Sequence, residues 1–240
     1  MMVAIGNFLF HYRNVLFPLV YALLLVKSRP ILPDFRLAAG AGLLVAVSGQ
    51  LLRAVTIGLE YIKRGGRARQ VYADNLVQGG LFAHCRNPLY LGNFIILLGV
   101  GLAANSLLFL GLALPFFAFA YWAIIAAEEN YLRGKFGQEF DDYCARVNRL
   151  APNLSGLRRT LSGMRFNWRR LITAEYGSAY IWVAAVALVT LKNAWMAGPY
   201  PAGHPVVWGS WSLLAFATVA YALARVLKKG RLLKNTVTAC

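Results

Sequence analysis

The chain has 240 residues, 59% of them hydrophobic and only 14% charged, with a mean hydropathy of +0.53. A soluble domain carries about a quarter charged residues, so this composition excludes a water-soluble globular protein and makes a lipid bilayer the expected solvent. The net charge of +16 would suggest nucleic acid in a soluble chain, but here the basic residues fall between apolar runs, which argues for a membrane surface and against a nucleic-acid partner.

A spanning helix needs about 20 mostly apolar residues, so the expected fold is all-α, a polytopic transmembrane helical bundle of about six spans. The first apolar run covers 3–26 and stops at Lys27-Ser28-Arg29-Pro30. It lacks the order of a signal peptide because His11, Arg13 and Asn14 interrupt it, and insertion is expected to rely on the first spans themselves. The second run, 37–59, holds only Gln50 and Arg53 as strongly polar members and makes about 34 Å of helix, enough to cross. The polar stretch 60–87, with Lys63, Arg64, Arg67 and Arg69, belongs outside hydrocarbon. Runs 89–104 and 107–127 are separated only by Asn105 and Ser106 and should form a tight antiparallel hairpin. Pro115 should kink its second arm. Residues 128–176 are polar again, and the last spans, 179–195 and 206–227, are joined by a loop bearing Gly198, Pro199, Pro201, Gly203 and Pro205. The organisation read from this pattern is amino-terminal membrane helices (1–60), a core (61–153), a basic amphipathic segment (154–178) and two further spans with a basic tail (179–240).

With six spans both termini share a side. Most of the 25 lysines and arginines then lie on that side, against Lys27, Arg29, Arg36 and Lys192 opposite. The expected orientation therefore puts both termini in the cytoplasm, as a multi-pass protein of the bacterial inner membrane. Cys85, Cys144 and Cys240 are odd in number and imply no disulfide framework. Leu154, Leu157, Leu161, Met164, Trp168 and Leu171 recur at steps of three and four with arginines between them. That pattern fits either an amphipathic helix on an anionic membrane surface or a basic connector.

Two segments carry candidate chemistry. In the first, 79–92, Asn87 reads as a helix N-cap and Pro88 as the first helical residue. Capping accounts for neither Arg86 before them nor Tyr90 and Gly92 after. The second, 128–143, opens with Glu128-Glu129 at the end of a long apolar helix. Glu128 shares a face with Tyr121, Ile125 and Leu132 and should point into the bundle, where border carboxylates face a cavity or a partner. The competing reading is that both glutamates reach water and meet Arg133 or Lys135.

Together these segments resemble the isoprenylcysteine carboxyl methyltransferase and phospholipid methyltransferase superfamily of integral membrane enzymes. The carrying residues are Arg86-Asn87-Pro88-Leu89-Tyr90-Leu91-Gly92, a helical hairpin, and then Glu128-Glu129 with Leu132, Phe136-Gly137, Phe140, Tyr143, Val147, Arg149 and Pro152. The resemblance implies S-adenosylmethionine as cofactor, held between the hairpin and the cytoplasmic segments, with membrane lipids around and a lipid-like acceptor entering from the bilayer. Carried over by position, Asn87, Pro88, Tyr90 and Leu91 line the cofactor, Glu128 or Glu129 holds its charged end, and Asn75, Leu76, Val77 and Phe82 close over it. Arg86, Asn87 and Tyr90 are the candidate catalytic residues. Arg86 could bind an anionic acceptor bidentately or a lipid phosphate. Asn87 stands where the family usually has histidine, which removes a titratable imidazole. Ile124 stands where the prenylcysteine enzymes carry a basic residue, which argues against that acceptor. The last two spans have no counterpart in the shared core.

Transfer of a methyl group to a carboxylate needs no base, whereas an amine or phenol would have to lose a proton, to His84, Tyr90 or a glutamate. Carboxylate O-methylation is thus favoured over amine N-methylation. Gly99-Val100-Gly101-Leu102-Ala103-Ala104 mimics a dinucleotide fingerprint but lies in an apolar span, where small residues serve close helix packing. The scattered histidines, His11, His84 and His204, suggest no metal site. The rival functions are an NADPH-dependent sterol-type reductase and a non-enzymatic scaffold or transporter. Neither oligomeric state nor acceptor identity is legible.

Overall fold

A computed structural model describes residues 1–60, 71–198 and 204–230, and among them the chain is helical with no strand. Lys63, Arg64, Arg67, Arg69, the prolines 199 and 201, and Cys240 lie outside the described residues. The helices are α1 (Met2–Tyr21, continued by a 3₁₀ turn Ala22–Leu25), α2 (Phe35–Leu59), α3 (Pro88–Ala103), α4 (Leu114–Phe136), α5 (Gln138–Arg146), α6 (Leu157–Gly163), α7 (Trp168–Met196) and α8 (Pro205–Lys229). Five described helical stretches are long and apolar enough to cross a membrane, namely Met2–Leu25, Phe35–Leu59, Phe109–Phe136, Trp168–Met196 and Pro205–Lys229. The chain is an integral membrane protein. The remaining apolar helix, α3, has 16 residues, about 24 Å of rise. Its length is set by Asn87-Pro88 at one end and by the turn at Asn105 at the other.

Small residues decide the closest packing. A side chain at Gly42 would run into the backbone of Gly99 and Ala103, and one at Gly99 into the backbone of Ala46, so α2 and α3 meet backbone to backbone. The expected turn between α3 and α4 is present. Asn105 adopts φ +50°, its Oδ1 accepts from Ile31 N (2.8 Å) and Leu32 N (2.9 Å), and its Nδ2 donates to Leu32 O (2.8 Å). Each arm of this hairpin nonetheless packs more extensively elsewhere, α3 on α2 and α4 on α1. Where a kink at Pro115 is expected, a π-helical turn (Phe109–Ala113) precedes it. The widened turn accommodates a ring that would otherwise meet the carbonyl four residues back.

The basic amphipathic segment does not form one helix. It splits into α6 and the start of α7, with Met164–Asn167 between. Tertiary contacts override the periodicity here. The Phe166 ring lies against Gly58, Asn167 N donates to Gly58 O (2.8 Å), and Arg170 donates to Ile57 O (2.6 Å) and Gly58 O (2.8 Å). The segment therefore satisfies the terminal carbonyls of α2. The Asn167 side chain caps α7 by accepting from Arg170 N.

Candidate functional site

At one end of the bundle the α3 start, the α4 end, α5 and the segments 71–77 and 147–153 converge. Arg86 and Glu129 organise this junction. Arg86 Nε and Nη2 donate to Glu129 Oε1 (3.2 and 3.0 Å), and its Nη1 donates to Cys144 O (3.1 Å) and Val147 O (2.8 Å). Arg149 donates to both oxygens of the same carboxylate. Arg86, expected to meet an acceptor anion or a lipid phosphate, thus has most of its donors engaged within the protein. Glu129, 6% exposed, is a carboxylate held between two guanidiniums. The alternative that the glutamates reach water does not hold, since Arg133 pairs with Asp141 and Lys135 donates to Ala73 O and Asp74 O.

Asn87 is at the N-cap position of α3, but its side chain does not cap. Nδ2 donates to Arg149 O (3.1 Å), a tertiary acceptor that local sequence does not announce. Pro88 is the first residue of the helix, as expected. Both ring nitrogens of His84 have partners: Nδ1 lies 2.6 Å from Asn153 O and Nε2 2.8 Å from Thr160 Oγ1. Tyr143 donates to Phe82 O (2.7 Å), and burial pushes its phenol well above the usual tyrosine range. Burial likewise raises the Cys85 thiol, whose sulfur donates to Leu150 O (3.4 Å). The Phe-Gly pair has a backbone reason: Gly137 takes φ +54° to turn the chain from α4 into α5.

These elements enclose a cavity of about 740 Å³. Of the residues singled out from sequence, Asn75, Leu76, Val77, Phe82, Arg86, Asn87, Tyr90, Glu128 and Glu129 line it. Pro88 is buried beneath it and Leu91 is not on its wall. Helix geometry explains the difference, because Arg86, Leu89, Tyr90 and Asn93 form the three-to-four stripe that faces the cavity while positions 88 and 91 fall off it. On α4 the equivalent stripe is Tyr121, Ile124, Glu128 and Leu132. Glu128 faces the cavity, and its Oε1 accepts from Tyr90 Oη at 2.7 Å.

Sequence reasoning missed a second set of lining residues: Phe10, Arg13 and Phe17 of α1, Arg53 of α2, Asn93 of α3, Thr173 and Ala174 of α7, and Lys228 of α8. Arg53 is 2% exposed and clamps Glu175 of α7 through Nε (2.8 Å) and Nη2 (2.7 Å), with Nη1 on Asn93 Oδ1. Gln50 donates to Glu175 (3.1 Å) and accepts from Trp182 (2.9 Å). One signal for this network was available, because two opposite charges in separate apolar runs are natural partners.

Residues 37–139, which hold α2, α3, α4 and the start of α5, match the family described as phospholipid methyltransferase. That segment, under half of the chain, is similar to the membrane methyltransferases that the two motifs resemble. Two curated relatives are similar over part of their length. The nickel-cobalt-cadmium resistance protein NccN of Alcaligenes xylosoxydans xylosoxydans is 37% identical over 83 residues, which cover 35% of this chain and 38% of that protein. The cobalt-zinc-cadmium resistance protein CzcN of Cupriavidus metallidurans (strain ATCC 43123 / DSM 2839 / NBRC 102507 / CH34) is 35% identical over 82 residues, 34% of this chain and 38% of that protein. The aligned stretch thus spans well under half of each relative. No solved structure matches. The matched segment contains Glu128, Glu129, Arg86 and Tyr90, but not α1, Tyr143, Arg149 or the α7–α8 pair. Among the described residues, no three His, Cys, Asp or Glu side chains gather as a metal site.

Proposed function

We propose that the chain is an S-adenosylmethionine-dependent methyltransferase acting on a lipid-like or amphiphilic acceptor, with carboxylate O-methylation favoured over amine N-methylation. The observation that carries this reading is Glu128, a carboxylate directed into a cavity walled by both family motifs and hydrogen-bonded to Tyr90. A carboxylate beside the aromatic faces of Tyr90, Tyr121, Phe140 and Tyr143 suits a ligand with cationic centres. When bound, the sulfonium supplies a methyl carbon already activated for displacement, so that the acceptor's lone pair forms the new bond as the carbon–sulfur bond breaks and its electrons remain on sulfur.

The protein's part is to orient and to exclude water. Glu129, gripped by Arg86 and Arg149, fixes the junction from which Glu128 projects. Residues of 71–77 and Phe82 line the cavity, which supports a role in enclosing the ligand. A carboxylate acceptor has no proton to lose, while an amine would need one removed, and Glu128 is the carboxylate in reach that is not clamped by two arginines. The distribution of basic residues supports a cytoplasmic location for the site and both termini.

Thermal unfolding of detergent-solubilised protein with S-adenosylmethionine, S-adenosylhomocysteine and NADPH in parallel tests the reading, because a ligand of the folded state raises its apparent stability. Stabilisation by the first two alone is expected. A shift with NADPH alone would assign a reductase, and no shift with any of them a scaffold. The names of the two relatives favour a second reading at the cellular level, that the methylated product serves resistance to divalent metal ions. Unchanged growth in cobalt and cadmium after deletion of this chain from its host would remove it.

A further inference from the structure

Helices α1 and α7 meet at one end of the bundle and both line the cavity at the other. At the end remote from the cavity, Lys192 Nζ donates to Leu24 O, and Leu24 shares an apolar cluster with Trp182, Val186 and Val189. At the cavity end, Phe10 and Arg13 of α1 face Thr173 and Ala174 of α7 and Lys228 of α8 across the open volume. Among the described residues α1 packs extensively on α4 but not on α7 or α8. No extensive helix packing among the described residues therefore closes the cavity between α1 and the α7–α8 pair.

The two halves of the cavity also differ in origin and charge. The half near 71–77, Phe82 and Asn87 is built mainly by the matched segment, whereas the half near Arg13, Thr173 and Lys228 comes from helices outside 37–139. Arg53 between them is neutralised by Glu175. Lys228 is not: among the described residues its ammonium meets the Thr173 carbonyl at 3.0 Å and the Tyr176 ring at 5.0 Å, and no carboxylate. A cation held at a cavity rim by a carbonyl and an aromatic face keeps its charge available to an incoming anion.

We propose that α7–α8 form the acceptor-selecting element of this chain, and that Lys228 reads a carboxylate or phosphate on an amphiphile whose apolar chain leaves between α1 and α7. This rests on the methyltransferase reading for its meaning, but the binding site it describes does not. The two helices supply what the family segment lacks, a lateral wall with a cation at the depth of the headgroups.

The test is a thermal-unfolding titration of the full chain in neutral detergent with dodecyl phosphate, dodecanoate, dodecyltrimethylammonium and inorganic phosphate, each with and without S-adenosylhomocysteine. Wild type and Lys229→Gln, which removes a neighbouring charge off the cavity, should both be stabilised saturably by an anionic amphiphile. Lys228→Gln should bind it about tenfold more weakly, the loss of one charge-assisted hydrogen bond, with S-adenosylhomocysteine affinity unchanged. Equal affinity in Lys228→Gln, equal loss in Lys229→Gln, or an equal response to the cationic amphiphile would overturn the proposal. Inorganic phosphate matching dodecyl phosphate would assign the site to a free anion and overturn it as well. A failure of S-adenosylhomocysteine to bind wild type would defeat the methyltransferase reading and leave the amphiphile arm to be judged by itself.

Discussion

Glu128→Gln keeps the size of the side chain and its contact with Tyr90 but removes the charge that faces the cavity. It should leave the unfolding temperature of the ligand-free protein nearly unchanged and weaken S-adenosylmethionine by about 1.5–3 kcal/mol in calorimetric titration. Glu129→Gln should do the reverse in part. It leaves Arg86 and Arg149 without their shared counter-ion, so a stability loss of about 3 kcal/mol in denaturant unfolding is expected. Equal stability of the two variants would contradict the division of labour drawn here. Cys85 offers a separate check, being 2% exposed with its thiol raised by burial. Because the thiolate is the nucleophile, Cys85 should resist maleimide at pH 8 in the folded protein and react on unfolding, as mass spectrometry of the labelled peptide would show. At this scale the motif residues were legible because their signals are local: proline at a helix start, paired carboxylates, a glycine where the chain reverses. Asn87 stands at the N-cap position as read, but the partners of its side chain and of His84, Arg149 O and Asn153 O, arrive from more than sixty residues away and leave no local signal.

Among the elements, the apolar runs were readable since each is long, continuous and bounded by polar or turn residues: α1, α2 and α3 begin and end close to where the pattern changes, whereas α4 continues past Ala127 to Phe136. What periodicity does not carry is which face meets which neighbour. The α2–α3 contact depends on Gly42 and Gly99 at helix positions that look merely permissive in sequence. Gly99→Leu should therefore push the two backbones apart and lower the unfolding temperature strongly, whereas Gly111→Leu, where a side chain meets open space, should be nearly silent. Comparable effects of the two, read by circular dichroism melts in the same detergent, would argue against backbone-close packing. The amphipathic pattern of 154–171 failed for the same reason. Its spacing is real, but the docking of Phe166, Asn167 and Arg170 onto the end of α2 fixes a break that no residue in the stretch demands alone.

For the molecule as a whole, the Arg53–Glu175 pair ties the segment 37–139 to a helix outside it. Breaking it with Glu175→Gln leaves a buried guanidinium uncompensated and should cost about 3–5 kcal/mol. Replacing both partners by apolar residues, Arg53→Met with Glu175→Leu, should recover much of that stability. If the double variant is no more stable than the single one, the charge pair is not the source of the effect.

The same pair has a consequence for how the chain is made. Arg53 and Glu175 are 122 residues apart, and at about 5–20 residues per second the arginine waits on the order of ten seconds in a nascent chain before its counter-charge is synthesised. Until then Asn93 and the Leu89 carbonyl are the partners that α2's arginine can find, and its charge is not balanced. A chain that stops before α7 lacks the counter-charge altogether, and Arg53 in it is expected to be the costliest residue to keep in a membrane.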